Sequence, residues 1–107
     1  MGSDGHVGSL YPKRSEALMA KPNVLPVVKS EGAASITFSL PVMNAASKVV
    51  VSLTGSGKAA AVRRALEGGD GDLFPGAMVR PTHGDLVWVI DQGAASELES
   101  YKGALAL

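Results

Sequence analysis

The sequence VVVSLTGSGKAAAVRRALEG, residues 49 to 68, decides the fold class of this chain. Residues 49–53 are an almost continuous run of β-branched and apolar side chains, which is typical of a strand covered on both faces in a parallel sheet. After a glycine-rich turn, apolar residues return at helical spacing, and Gly68 stands where helices commonly end. The stretch therefore predicts a buried strand followed by a helix over about 58–67, the unit from which parallel α/β sheets are built.

Two more strand and helix pairs flank this unit. Upstream, residues 36–38 are β-prone, and Pro41 suits the first turn of a helix that runs to about Ser47. Downstream, residues 86–90 predict a second buried strand that leads into a helix over about 94–101. The order strand, helix, strand, helix, strand, helix predicts an α/β fold of three layers, Rossmann-like, in which a mainly parallel sheet carries helices on both faces.

The remaining segments are rich in residues that form turns. Residues 1–34 carry Gly, Pro and Ser at close intervals, and they predict loops with one short helix and at most one short strand. Residues 68–84 predict another loop, because they are rich in Gly, Pro and Asp. A chain of 107 residues forms one domain at most, so these loops connect parts of a single core.

Composition and charge exclude several classes of function. The chain has 10 Lys and Arg against 10 Asp and Glu, so no long-range field attracts nucleic acid or an anionic membrane. The absence of cysteine excludes disulfides and thiolate metal sites, and it suits a reducing compartment. No apolar run approaches the length of a membrane span. We therefore expect neither nucleic acid nor a membrane as a partner, and any anion site must be local.

Asp4-Gly5-His6 is the first group of residues able to do acid and base chemistry. A carboxylate stands two residues before an imidazole, across a flexible glycine. An imidazole can take a proton from a water molecule that attacks an ester carbonyl, and a neighbouring carboxylate can fix its tautomer. The residues alone leave two interpretations open, namely a catalytic pair and an exposed histidine near the N-terminus.

The segment TGSGK, residues 54–58, is the second candidate, because it lies where the buried strand turns into the helix. Backbone N–H groups and the positive end of the helix dipole converge at such a turn, and Lys58 adds a full charge, so a phosphate group would fit. The segment is not a Walker A loop, which needs glycine in place of Ser52 and a hydroxyl in place of Ala59. The alternative is an ordinary tight turn with a solvated lysine.

The other polar residues give weaker signals. His83 stands in a turn-forming sequence and receives no role, and two histidines so far apart predict no metal site. Trp88 alternates with valines, which is more typical of a core position than of a stacking platform. Ser9 and Ser56 lack the Gly-x-Ser-x-Gly context of a nucleophile elbow, so a serine hydrolase is disfavoured.

Four segments occur in an order and at intervals that single out one known family. They are DGHVGSLYP at residues 4–12, ITFSLPVMNAA at 36–46, TGSGK at 54–58, and Arg80-Pro81 followed by Gly84, Leu86, Trp88 and Asp91. Together they resemble the 6-phosphogluconolactonase family, whose signature is Asp-Gly-His, a variable residue, then Ala-Ser-Leu-Phe-Pro. The related aminosugar-phosphate isomerases and deaminases usually follow Asp-Gly-His with Ala-Phe-Asn-Glu-Pro, so Ser-Leu-Tyr-Pro favours the lactonase branch.

The resemblance implies hydrolysis of 6-phospho-D-glucono-1,5-lactone to 6-phosphogluconate in the pentose phosphate pathway. By similarity, His6 is the general base that activates water, and Asp4 orients the site. Lys58, with Gly55 and Gly57 of its turn, binds the 6-phosphate of this small-molecule substrate. The resemblance implies no metal and no organic cofactor. It also implies a cytoplasmic protein, with the plastid as the alternative compartment.

Departures from the family pattern indicate the C-terminal portion of the domain. Met1 occupies an internal position of the family motif Gly-x-Gly-x-Asp-Gly-His, so we interpret residues 1–107 as the C-terminal part of a single 6-phosphogluconolactonase-like domain. The N-terminal strands and the first glycine-rich phosphate loop of the family lie outside it. Ser35 stands where the family commonly has a phosphate-binding arginine. Gly8 replaces the usual alanine, which we expect to be a mild change.

A shortened parallel sheet has consequences for stability and partners. An uncovered apolar edge favours pairing with another chain or self-association. We therefore expect the isolated chain to be marginally stable and weakly active or inactive. Two alternatives to the lactonase remain open, namely a non-catalytic remnant that binds a phosphosugar or a partner, and an aminosugar-phosphate isomerase or deaminase on the same scaffold.

Overall fold

A computed structural model describes residues 1–29, 32–68 and 73–101. Within these ranges the strands are β1 (Val24–Val28), β2 (Ala34–Phe38), β3 (Lys48–Leu53) and β4 (Asp85–Ile90). The α-helices are α1 (Leu40–Asn44), α2 (Ala59–Glu67), α3 (Pro75–Met78) and α4 (Gln92–Ala95), with 3-10 turns at Ser15–Leu18 and Ser56–Lys58. None of the helices in these ranges is long and apolar enough to cross a membrane.

The predicted unit of strand, helix and strand forms the larger part of the core. β3 and β4 pair in parallel, from Lys48 opposite Asp85 to Leu53 opposite Ile90, and α2 lies in the connection between them. One face of this sheet packs against α2, α4 and the residues that follow α4. The buried side chains in this contact are Val51, Leu53, Val62, Ala94, Ala95 and Leu98. Removing such apolar surface from water stabilises the fold by roughly 25 cal/mol per Å². The predicted α/β class and its parallel strand pair are confirmed.

The opposite face of the β3–β4 sheet is exposed in the part of the chain that the structure describes. Val50 and Val89 are each 54% exposed and Val87 is 40% exposed, although all three are apolar strand residues. The prediction that β3 is covered on both faces is therefore met on one face only. A β-branched run favours a position between two layers, but it does not specify which segment or chain supplies the second layer.

β2 lies outside the parallel sheet, contrary to the alternation predicted from the order of elements. It pairs antiparallel with β1, from Val24 opposite Phe38 to Val28 opposite Ala34. The connection consists of residues 29 to 33 only, whereas a parallel crossover needs about a dozen residues or more. The strand predicted at 36–38 is confirmed, but its assignment to the parallel sheet is wrong, because so short a connection permits only a hairpin.

α1 begins as predicted and ends early. Pro41 lies in its first turn, yet the helix ends at Asn44 rather than near Ser47. The Asn44 side chain donates to the carbonyl of Met78 at 3.1 Å and accepts from the amide of Arg80 at 2.7 Å. These bonds tie the end of α1 to the segment that precedes β4, so the chain leaves the helix at this point.

α2 matches the predicted helix, and Gly68 ends it for a steric reason. The Gly68 amide donates to the carbonyl of Arg64 at 3.0 Å, and its φ of −74° is ordinary. A Cβ at this position would lie 2.3 Å from that carbonyl oxygen, so close approach is what requires glycine here. The predicted loop 68–84 contains the short helix α3, and its residues 69–72 lie outside the described ranges. The helix predicted near 94–101 is realised only in part, because α4 begins earlier, at Gln92 after its cap Asp91, and ends at Ala95.

Candidate active site

A tight turn carries the Asp4-Gly5-His6 segment. The Gly5 amide donates to the Gly2 carbonyl at 2.9 Å, and the Gly2 amide donates to the His6 carbonyl at 2.9 Å. Gly5 has a φ of 94°, a left-handed conformation that residues with a side chain rarely adopt. A Cβ on Gly5 would also lie 2.3 Å from the ring of Phe74, which is buried. Glycine between the two candidate residues is therefore required both by its backbone and by its neighbour.

Asp4 and His6 form a hydrogen-bonded pair. Oδ1 of Asp4 lies 2.6 Å from Nδ1 of the imidazole, and it accepts the His6 amide at 3.0 Å. Partial burial raises the pKa of the Asp4 carboxyl, but hydrogen bonds from the amide and ring of His6 outweigh it and hold the pKa below its usual value. The carboxylate therefore stays ionised at neutral pH and can only accept a hydrogen bond. In the neutral imidazole, this places the ring proton on Nδ1 and leaves a lone pair on Nε2.

The ring of Tyr11 lies beside the imidazole of His6. Their centroids are 4.9 Å apart and their planes are tilted by 36°. Nζ of Lys29 lies 5.6 Å from the centroid of the Tyr11 ring, within the range of a cation–π interaction. No pattern in the sequence singles out Lys29, whereas Tyr11 belongs to the Ser-Leu-Tyr-Pro motif, which is the sequence signal for its place in the site. The imidazole is 35% exposed, so a small molecule can reach it while Asp4 and Tyr11 hold its orientation.

Lys58 extends from the glycine-rich turn to the segment that begins the Asp4–His6 turn. Its Nζ donates to the carbonyl of Met1 at 2.8 Å. The next residue, Gly2, is hydrogen-bonded to His6. The structure therefore brings the Asp4–His6 pair and the predicted phosphate-binding lysine, which are far apart in the sequence, to one region of the surface.

The glycine-rich turn is held in place by Asp91. Gly55 has a φ of 96°, and its amide donates to the two carboxylate oxygens of Asp91 at 3.0 and 3.2 Å. Asp91 also caps α4, since it accepts the Ala94 amide at 2.8 Å. The hydrogen bonds from Ala94 and Gly55 lower the pKa of Asp91, so its carboxylate remains ionised. The Gly55 amide is thus engaged within the protein, and the space beside both Gly55 and Gly57 is open.

Two of the departures from the family pattern, Gly8 and Ser35, lie in or beside this region. Gly8 has a φ of 56°, and a Cβ there would lie 2.7 Å from Oγ1 of Thr37. Thr37 is buried and its hydroxyl donates to the carbonyl of Phe38, so the hydroxyl cannot move without losing this bond. The expectation that glycine and alanine differ only mildly here is therefore wrong. Ser35, at the position expected for an arginine, donates to the hydroxyl of Ser9 at 2.9 Å.

The remaining candidates have no part in this site. His83 is exposed and lines a separate groove of about 650 Å³ beside α1. Trp88 is half-buried and packs against the core, as its pattern predicted. Among the residues in the described ranges, no group of three or more His, Asp or Glu side chains is placed to hold a metal ion.

Comparisons with known sequences agree on one family. The sequence profile described as "Glucosamine-6-phosphate isomerases/6-phosphogluconolactonase" matches residues 1–88. The chain is 43% identical over 107 residues to "Probable 6-phosphogluconolactonase 1" of Oryza sativa subsp. japonica. This match covers 94% of this chain and 36% of the relative. The chain is also 38% identical over 97 residues to the 6-phosphogluconolactonase of Homo sapiens, in a match that covers 89% of this chain and 38% of the relative.

Solved structures show the same relationship. The 6-phosphogluconolactonase of Leishmania guyanensis superposes with a TM-score of 0.74 at 29% identity, over 90% of this chain and 38% of that one. The 6-phosphogluconolactonase of Trypanosoma brucei superposes with a TM-score of 0.80 at 25% identity, over 92% of this chain and 40% of that one. The chain therefore spans about two fifths of the length of the relatives it matches.

Proposed function

Because the chain belongs to the family of glucosamine-6-phosphate isomerases and 6-phosphogluconolactonases, we propose that it carries the catalytic base of a 6-phosphogluconolactonase. The reaction is the hydrolysis of 6-phospho-D-glucono-1,5-lactone to 6-phosphogluconate in the pentose phosphate pathway. The observation that carries this proposal is the Asp4–His6 pair, in which a carboxylate fixes the imidazole so that Nε2 can accept a proton. Residues 1–107 are the C-terminal part of a single domain, and the rest of that domain completes the site.

In this mechanism His6 acts first as a base and then as an acid. Nε2 accepts a proton from a water molecule whose oxygen attacks the lactone carbonyl carbon, which gives a tetrahedral oxyanion. As the oxyanion collapses, the bond from this carbon to the ring oxygen breaks, and the ring oxygen takes the proton from the imidazolium. Asp4 stabilises the transient positive charge through its 2.6 Å contact with Nδ1. The steps need a base, a positioned substrate and oxyanion stabilisation, so they require no metal or organic cofactor.

The 6-phosphate is assigned to the glycine-rich turn. Lys58 supplies a full positive charge close to the acid–base pair, as its contact with the first residue indicates. Gly55 contributes the shape of the turn through its left-handed backbone and its bond to Asp91. The open space beside Gly57 lets an anion approach the backbone at the start of α2. We expect a phosphate held there to leave the lactone near His6, because Lys58 contacts the segment that leads into the Asp4–His6 turn.

Two alternatives are less well supported. An aminosugar-phosphate isomerase or deaminase shares the Asp-Gly-His turn, but the Ser-Leu-Tyr-Pro segment at residues 9–12 and the lactonase names of the plant and human relatives favour lactone hydrolysis. A non-catalytic remnant that binds a phosphosugar or a partner is favoured by one observation, the exposed apolar face of the β3–β4 sheet. Binding of the lactone without turnover in a complete domain would support the remnant.

We further propose a cytoplasmic location, with the plastid as the alternative because relatives include rice and Arabidopsis proteins. The small-molecule substrate supplies no reason for a membrane or a nucleic acid as a partner. Fluorescence of a fusion made with the whole natural gene product would separate the two compartments. Accumulation in plastids would overturn the first choice and leave the proposed chemistry unchanged.

The catalytic proposal is tested in a complete enzyme that contains this chain. Residues 1–107 replace the matched region of the rice relative, and hydrolysis of freshly generated 6-phosphogluconolactone is coupled to 6-phosphogluconate dehydrogenase, with the spontaneous rate subtracted. We expect the chimera to be active and His6→Ala to lower kcat by roughly 100-fold or more, as the loss of a general base typically does. His83→Ala is the matched control and should leave kcat unchanged. Lys58→Gln should mainly raise KM, because it weakens phosphate binding.

Two results would contradict the proposal. One is a chimera that folds cooperatively and shows no hydrolysis above the spontaneous rate. The other is a His6→Ala chimera with full activity. The 107-residue chain by itself should be weakly active or inactive and only marginally stable, since one face of its parallel sheet is exposed. A cooperative melt and a kcat equal to that of the chimera would show this last expectation to be wrong.

A further inference from the structure

The hairpin formed by β1 and β2 has one face that packs into the protein. Val27 and Thr37 of this face are buried, and Ser35 lies opposite Val27 in the register. The amide of Lys29 donates to the carbonyl of Ala33 at 2.8 Å, so the pairing continues past the last residue of β1. Side chains two residues apart on a strand point to the same face. Lys29 therefore lies on the same face of the hairpin as Val27 and Ser35.

Two side chains of this face contact the segment that follows His6. Ser35 donates to the hydroxyl of Ser9 at 2.9 Å, and Nζ of Lys29 lies 5.6 Å from the centroid of the Tyr11 ring. The centroid of that ring lies 4.9 Å from the centroid of the His6 imidazole. These two distances limit how far the ammonium group can be from the imidazole, and one small molecule can span that separation.

The charge of Lys29 is available to a ligand. Lys29 is exposed, and no carboxylate within residues 1–29, 32–68 and 73–101 pairs with its ammonium group. Arg14 is another cation beside β1, but its guanidinium contacts Oε1 of Glu16 at 2.6 Å and donates to the carbonyl of Val28 at 2.9 Å. The charge of Arg14 is therefore balanced within the protein, whereas that of Lys29 is not.

Ser35 brings no charge to this face of the hairpin. Its position is one at which the family commonly has an arginine, and here its hydroxyl is engaged by Ser9. Lys29 and Ser35 are diagonal neighbours across the hairpin, a separation that long side chains can bridge. Lys29 thus brings a cation to the face on which Ser35 has none.

We propose that Lys29 is a specificity-determining residue, whose ammonium group binds the phosphate of the sugar-phosphate substrate together with Lys58. A phosphate monoester carries about 1.5 to 2 negative charges at pH 7, which one lysine does not balance. Lys58 reaches the surroundings of His6 through Met1, and Lys29 reaches them through Tyr11. The inference rests on the proposed function, because it adds a contact with the substrate of that reaction.

A purely structural role for Lys29 makes a different kinetic prediction. In that role its cation–π contact would only hold the Tyr11 ring, which in turn holds the imidazole of His6. Loss of the lysine would then misplace the base and lower kcat. Loss of a contact with the remote phosphate would instead raise KM and leave kcat unchanged. The two roles are therefore separated by which constant changes.

The test uses the chimera with the rice relative and the coupled assay of lactone hydrolysis. Lys29→Gln removes the charge, and Lys29→Arg keeps it. Lys21→Gln is the matched control, because it is the same change at an exposed lysine that precedes β1. Inorganic phosphate and gluconate serve as competitive inhibitors, since each carries one of the two anionic groups of 6-phosphogluconate. Urea denaturation confirms that each variant folds.

We expect Lys29→Gln to raise both KM and the Ki of inorganic phosphate by about 10-fold, because a charged hydrogen bond to the phosphate is lost. The kcat value and the Ki of gluconate should stay within about 2-fold of the parent chimera. Lys29→Arg should recover most of the loss, and Lys21→Gln should behave as the parent.

Three results would overturn this inference in a chimera whose hydrolysis depends on His6, and all three would leave the proposed function intact. The first is an unchanged KM in Lys29→Gln. The second is a fall in kcat alone, which would assign Lys29 to holding the Tyr11 ring. The third is a raised Ki for gluconate but not for phosphate, which would place the lysine at the carboxylate end of the product. A folded chimera without hydrolysis would instead contradict the proposed function, and this inference with it.

Discussion

Replacement of Gly8 by alanine should destabilise this protein more than the same change at Gly32, a left-handed glycine with open space around it. Gly8 has a φ of 56°, and a residue with a side chain costs about 1–2 kcal/mol in that region. The added Cβ would also lie 2.7 Å from Oγ1 of Thr37 and 3.1 Å from the terminal carbon of Met43, and such overpacking typically costs about 1–3 kcal/mol. The sum, about 2–5 kcal/mol, is a large part of the stability of a typical domain.

Two further variants separate the backbone contribution from the steric one. Gly32 has a φ of 80°, and nothing lies within 4 Å of a Cβ built there. Gly32→Ala therefore carries the backbone contribution alone, about 1–2 kcal/mol. Thr37→Ala removes the hydroxyl that the new Cβ would meet, so it should make Gly8→Ala less costly by about 1 kcal/mol or more in a double-mutant cycle.

Urea denaturation of the chimera with the rice relative gives the free energy of unfolding for each variant. Two results would refute the reasoning about Gly8. If Gly8→Ala lost no more stability than Gly32→Ala, the turn would have to shift away from β2 at little cost. If the coupling energy with Thr37→Ala were within about 0.5 kcal/mol of zero, the hydroxyl would not be what limits the space.

Three further predictions concern the carboxylates of Asp91 and Asp4 and the Tyr11 ring beside the proposed catalytic histidine. The pKa of Asp91 is lowered in the native state, so the carboxylate contributes its full stabilisation above the usual aspartate pKa of about 4. This stabilisation is lost as the pH falls through the native pKa. Asp91→Asn should therefore reduce the loss of unfolding free energy, measured with urea, that the parent chain shows at acid pH. Asp4→Asn in the chimera should lower kcat by roughly 100-fold or more with a smaller change in KM, because the ring proton of His6 is no longer held on Nδ1. An unchanged kcat would exclude the proposed role of Asp4 in orienting His6. Tyr11→Ala should lower kcat several-fold while Tyr11→Phe keeps it, because the ring contacts the imidazole, and equal losses would instead assign the effect to the hydroxyl.

The elements that the sequence predicted correctly are those with a local signal. The β-branched run at 49–53, the helical spacing after it and the second run at 86–90 each depend on neighbours in the chain, and each became the expected element. The pairing of β2 depends on which strand lies next to it in space, which periodicity does not report. The five-residue connection at 29–33 was the one available signal for a hairpin.

The same distinction applies to the site. The Asp4–His6 contact was predictable because it spans two residues and needs only a turn. The contact of Lys58 with Met1, and that of Gly55 with Asp91, join distant segments, so only the folded chain shows them. The chemical roles of these residues remain predictions that rest on the family resemblance and on the geometry.

The bond between Asp91 and Gly55 also bears on ligand selection. Since the carboxylate shapes the glycine-rich turn before any ligand arrives, the entropy of ordering that loop is lost during folding and does not weaken binding. The same carboxylate repels anions, and Lys58 of the same turn carries the opposite charge. The turn is thus preorganised and balanced in charge, and under the proposed function a phosphate would gain affinity there from the lysine, whereas a neutral sugar would gain almost none.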